Sequence, residues 1–114
     1  MLRARGFCTT PAARAQFLLV AKDFVDAEAP ARRLAVRQRH LDRASAAKLD
    51  GHVLVGGATL AADEKTMNGS MLVLEFASFD HAKEWVEADV YVTGRVWQSY
   101  SLQPFRMAPL PPKK

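Results

Sequence analysis

The chain has 114 residues, the size of one domain, and its 49% hydrophobic and 25% charged residues are those of an ordinary globular protein. No run approaches the ~20 apolar residues of a membrane-spanning helix, and the single cysteine, Cys8, excludes an internal disulfide framework or a multi-cysteine zinc site. The charge of +4 sits at one end: without the three arginines of residues 1–15, 13 basic residues face 12 acidic ones, which leaves no basic stripe for a nucleic acid.

MLRARGFCTTPAARA (1–15) is Arg-rich, holds Thr9 and Thr10, and contains no acid. That composition is expected of a mitochondrial transit peptide, and the segment lacks the apolar centre of a secretory signal. The sequence therefore divides into a leader (1–15), a folded body (16–107) and a Pro/Lys tail (108–114), with the mitochondrial matrix as the expected location and the cytoplasm otherwise.

Gln16–Lys22 (QFLLVAK) reads as a short buried strand. After a polar connection, Pro30 suits the first turn of a helix. Residues 31–50 contain good helix formers and no Gly or Pro. At about 100° per residue, Leu34, Leu41, Ser45, Lys48 and Leu49 share one side, a thin stripe suited to a helix lying on a sheet. Gly51 is placed as a left-handed C-cap. His52–Leu60 is strand-like, with Gly56-Gly57 suggesting a bulge or a close approach. Ala61–Gly69 ends in the turn signal Asn68-Gly69, and Ser70–Ala77 is the next strand. Ser78 or Asp80 can cap a helix running to about Ala88, with Ala82, Trp85 and Val86 inward. Val90–Val96 is irregular, and Trp97–Met107 holds a final strand closing at Pro104.

The order β–α–β–β–α–β predicts an α+β, ferredoxin-like fold: an antiparallel sheet with both helices on one face. The other face needs cover, which predicts self-association, a homodimer.

Three stretches carry a resemblance to a family: RQRHL (37–41), LVGGATL (54–60) running on to NGSMLVLEF (68–76), and ADVYVTGRVWQSYSLQPFR (88–106). Together they resemble the YCII-related domain proteins, over roughly residues 16–107. The resemblance implies a dimeric α+β barrel of ferredoxin-like subunits. It also implies a site built from a helix histidine and the aspartate of an Asp-Pro-Tyr motif, here His40 and Asp89. Val90 stands where the family has proline, and Arg95 where glycine is common.

His40 lies about 120° from the Leu34 direction, at the edge of the stripe, where it can reach a cleft. A carboxylate beside a histidine fixes its tautomer and lets it act as a general base. No Ser, Cys or Thr nucleophile stands beside the pair in sequence, so proton transfer, elimination or isomerisation is expected over acyl transfer. Arg37 is the candidate for an anionic group of the substrate, with Gly57, Tyr91 and Trp97 as further substrate contacts. Arg33 reads as a surface residue and Trp85 as core. His52 and His81 lack partners at ligand spacing, so no metal is expected, and no cofactor motif occurs. The expectation is a small-molecule pocket with His–Asp chemistry on a small, anionic organic compound. Two alternatives are a non-catalytic binding or assembly module, motivated by Val90 and Arg95, and a cofactor-free monooxygenase with an aromatic lining.

Overall fold

Alternation along the first apolar run sets the frame of the molecule. In the computed structural model, which describes residues 14–113, Phe17, Leu19 and Ala21 of β1 (Ala15–Asp23) point to one side and are buried. Six further elements follow: α1 (Ala29–Leu49), β2 (Val53–Leu60), β3 (Met67–Phe76), α2 (Phe79–Glu87), α3 (Val90–Thr93) and β4 (Trp97–Phe105). The sheet order is β2-β3-β1-β4 with every neighbouring pair antiparallel. This is the ferredoxin-like order, with α3 inserted before the last strand.

Register explains the core. Leu19 faces Leu72 on one side and Leu102 on the other, and Phe17 faces Leu74. Phe17, Leu19, Leu72 and Leu74 join Phe76, Ala47 of α1, Ala82 and Val86 of α2, and Tyr91 of α3 in one buried cluster, with Leu102 partly buried against it. Both long helices therefore cover the same sheet face. The other face carries Val20, Val55 and Phe105, all of them exposed. Pro104 is tolerated because β4 is an edge strand.

Several boundaries differ from the expected ones. The transit-peptide reading falls on residues of which all but Arg14 and Ala15 lie outside those described. Those two belong to the fold: Ala15 opens β1, and Arg14 bonds Glu75 at 3.5 Å. β3 begins at Met67, because Asn68-Gly69 is not the turn. A Cβ at Gly69 would collide with the Ala21 carbonyl across the ladder, so this glycine serves close strand pairing. The turn is Ala61–Thr66. There Asp63 accepts the Lys65 and Thr66 amides at 2.9 Å each, and those bonds with the Thr66 hydroxyl lower its carboxyl to about 2. The β2 bulge falls between Val53 and Val55, before the glycine pair.

The largest correction concerns α1. Leu34 and Leu49 are 67% and 90% exposed, and the buried residues are Ala29, Arg33, His40 and Ala47. At about 100° per residue these four lie within about 40° of one another. The expected stripe followed the leucines, whereas the buried face of this helix is small and polar. Gly51 does take the left-handed conformation, at φ +80°, and Ser78 caps α2 by accepting the His81 amide at 3.1 Å.

Candidate active site

Asp89 is not a residue trailing off the end of α2. It is the N-cap of the four-residue α3, a turn the sequence reading left irregular, and its Oδ2 accepts the Tyr91 amide at 2.9 Å. A carboxylate is favoured at that position by the free amides of the first turn. The same Oδ2 lies 2.8 Å from His40 Nδ1, and Arg43 Nη1 donates to Oδ1 at 3.1 Å. Asp89 is 1% exposed. Burial by itself would raise its carboxyl, but the His40 bond and charge, the Tyr91 amide and Arg43 together hold it below the usual carboxylate range. Asp89 is thus ionised at neutral pH and accepts the Nδ1 proton of His40. In the neutral ring the lone pair is then on Nε2.

The imidazole is also fixed by its faces. It stacks on the Tyr91 ring at 3.8 Å and 6°, and Trp97 meets it edge-on at 6.0 Å. Arg43 donates to the Trp85 carbonyl at 2.7 Å and lies 4.3 Å over the Trp85 ring, so Trp85 holds the arginine that holds Asp89. Trp85 is half-buried against the core, as expected.

A second buried group adjoins the first. Arg33 is 5% exposed, not a surface residue. It donates to Asp23 at 2.6 Å, to the Gly69 carbonyl at 3.2 Å and to Ser70 Oγ at 3.3 Å, and lies 4.9 Å over the Tyr91 ring. Trp97 Nε1 donates to the same Ser70 Oγ at 3.1 Å. Burial pushes the Tyr91 phenol up, against the charges of Arg33 and Arg37.

Of these groups, Arg33, His40, Ser70 and Tyr91 line a cleft of about 370 Å³ between α1 and β2. His40, Arg37 and Ala44 form its helix wall, Gly56 and Gly57 its strand wall, and Tyr91 and Ser70 its inner end. The glycines do different jobs. A Cβ at Gly56 would strike the Leu72 side chain, whereas one at Gly57 meets nothing within 4 Å.

The cleft brings together His40, Asp89 through its bond to His40, Arg37, Gly57 and Tyr91. Trp97 is 5% exposed and does not line it, since its indole N–H is spent on Ser70; the residue supports the wall from behind. Arg95 is not at the cleft either: it packs over Phe24 at 4.9 Å. The sequence reading missed Arg33, Arg43 and Ser70. Arg33 and Arg43 stand seven before and three after His40, on its side of α1, a helical spacing that could have singled them out. Among the described residues no cluster of His, Cys, Asp and Glu could hold a metal, and no helix is long and apolar enough to cross a membrane.

A family model, the YCII-related domain, matches residues 15–106. Protein YciI of Escherichia coli O6:H1 is 32% identical over 95 residues, which cover 79% of this chain and 95% of that protein. Among solved structures, the chain is similar to 5-chloro-2-hydroxyhydroquinone dehydrochlorinase of Burkholderia phenoliruptrix, in complex with 2,5-dihydroxybenzoquinone. That likeness has a TM-score of 0.69 and 27% identity and covers 82% of this chain and 95% of that one. A NIPSNAP family protein of Agrobacterium tumefaciens, 12% identical with a TM-score of 0.50 over 90% of this chain and all of that one, shares the fold alone.

Proposed function

This chain belongs to the YCII-related domain family, and from that premise we propose that it is an acid–base enzyme acting on a small, anionic, oxygen-bearing organic compound. His40 is the base and Asp89 the group that fixes its tautomer. The observation that carries this reading is the buried 2.8 Å bond between His40 Nδ1 and Asp89 at the wall of the cleft. With Asp89 ionised, the bond leaves Nε2 able to take a proton from a ligand. Two serines line the cleft: Ser70 bonds Trp97 and Arg33, and neither it nor Ser45 bonds His40 among the described residues, so no activated nucleophile accompanies the base. That favours proton transfer coupled to elimination or isomerisation. Arg37 supplies a cation for the ligand's anionic group, Tyr91 backs the imidazole, and Gly57 contributes to the strand wall. The similar dehydrochlorinase, bound to a dihydroxyquinone, supports small hydroxylated rings as the compounds to test first.

The test is turnover of halogenated hydroxyhydroquinones, followed by halide release, with the wild-type chain and His40→Ala. A general base contributes typically 10²–10⁴-fold, so the variant should lose about that much. Equal rates would refute His40 as the base. Binding without turnover in the wild type would favour the non-catalytic module, and oxygen consumption the monooxygenase.

We also propose that two copies associate through the open sheet face. Its exposed Val20, Val55 and Phe105 are apolar surface that a monomer leaves in water.

A further inference from the structure

A hydroxyl group has one proton to donate and two lone pairs with which to accept. Ser70 Oγ receives the indole N–H of Trp97 at 3.1 Å and a guanidinium N–H of Arg33 at 3.3 Å. Both partners are donors only, so both acceptor positions of the serine are filled. Its own proton is left over and has no acceptor among the described residues. The side chain is buried, 3% exposed, and lines the cleft that holds His40. A buried O–H left without an acceptor costs free energy, and the open space is the cleft. Arg33 also changes the quality of this donor. A cation donating into the oxygen polarises the hydroxyl and strengthens the bond it can give. The arginine is held in place by Asp23 at 2.6 Å and by the Gly69 carbonyl.

We propose that Ser70, polarised by Arg33, is the donor that binds a carbonyl, enolate or phenolate oxygen of the ligand. The substrates are then enolisable or quinol-type compounds that develop negative charge on oxygen when His40 removes a proton. This rests on the reading of His40 as the base. In the step itself, His40 Nε2 takes a proton from the carbon next to a carbonyl. The C–H electron pair forms the new C=C bond, and the carbonyl π pair moves to oxygen, which becomes the enolate held by Ser70. If that carbon's neighbour carries a leaving group, the enolate collapses and expels it with its electron pair. The proton on His40 then passes to water. A donor aimed where charge develops binds the transition state more strongly than the ground state.

The experiment uses the full chain and 2,5-dihydroxybenzoquinone, whose bound carbonyl stretch is read by difference infrared spectroscopy and whose affinity is read by absorbance titration. In the wild type the stretch moves to lower frequency on binding. Ser70→Cys is nearly isosteric and replaces a strong donor by a weak one. It should return the stretch toward its free value and weaken binding about tenfold or more, the worth of one hydrogen bond to a charged group. Retained thermal unfolding and near-ultraviolet dichroism show that the variant is folded. Should it not fold, Arg33→Lys keeps the charge beside Ser70 but removes the planar fork, and is expected to diminish the carbonyl shift. An unchanged stretch and affinity in the folded variant, or no binding by the wild type, overturns the proposal. His40→Ala separates the two ideas. If it keeps both the shift and full turnover, His40 is not the base and the Ser70 assignment stands; if it keeps the shift and loses turnover, both stand.

Discussion

Asp89 gathers three donors in the candidate site: an imidazole, a guanidinium and a backbone amide all donate to it. Its pKa lies below the ordinary value in the folded protein. The ionised form therefore contributes stability above the ordinary carboxylate range, and that contribution is lost as pH falls through the lowered folded value. Asp89→Asn should cost about 1.5–3 kcal/mol at neutral pH and flatten the acid limb of stability against pH. Denaturant unfolding at a series of pH values measures both, and an unchanged acid limb would show that Asp89 is not held as described. Arg33 offers a contrasting case. Its pair with Asp23 is buried, yet Arg33 Nε and Asp23 Oδ1 have no partner among the described residues. Arg33→Leu should cost about 3–5 kcal/mol, because it strands a buried carboxylate, and most of that should return when Asp23→Leu is added. A double variant no more stable than the single one would contradict this. His40 and Asp89 were legible in the sequence through RQRHL and ADVY. Arg33 was not, because an arginine among arginines reads as surface, and only the fold shows which of them is opposite Asp23 and Ser70.

The two departures from the family pattern are settled at the level of the short helix α3. Val90 occupies N1, where the backbone N–H has no intrahelical acceptor, so a proline there would lose no bond and its replacement by valine does not release Asp89. Arg95 is in the left-handed region, at φ 59°. That conformation costs a non-glycine residue roughly 1–2 kcal/mol, partly offset here by the stacking of its guanidinium over Phe24. Arg95→Gly and Val90→Pro should each raise stability by up to about 1 kcal/mol and leave the His40–Asp89 bond intact. Melting temperatures check the first expectation and the histidine proton resonances the second. Neither departure touches the cleft, so neither gives a physical reason for lost chemistry. The elements themselves were readable where a single periodicity dominates, as in β1, or where a cap is plain, as at Ser78 and Gly51. Asn68-Gly69 misled because a turn-forming dipeptide was recruited for close strand contact, and α3 was invisible because four residues are too few to show a helical period.

For the whole molecule, one side of the sheet is buried under α1 and α2, and Val20, Val55 and Phe105 remain exposed on the other. If that side joins two copies, sedimentation velocity should show a dimer. Val20→Glu, which places a charge in the middle of the face, should shift it to monomer while the fold persists. A wild-type monomer at all concentrations would refute the association. The βαββαβ order was recoverable from the sequence because each strand lies within a compact apolar run. The cleft was not, because its two walls come from α1 and β2, and their separation depends on which face α1 turns inward.

That inward face has a kinetic consequence. Apart from Ala29, Ala47 and the half-buried Val36 it is fastened by Arg33, His40 and Arg43, with little apolar area to hold it against water. Segments secured by few hydrophobic contacts open at lower free energy than the strands beneath them. Amide hydrogens of α1 should exchange with deuterium sooner than those of β1 and β3, and added salt, by screening the guanidinium contacts at its rim, should hasten that exchange. The helix that carries His40 would then also be the door to the cleft.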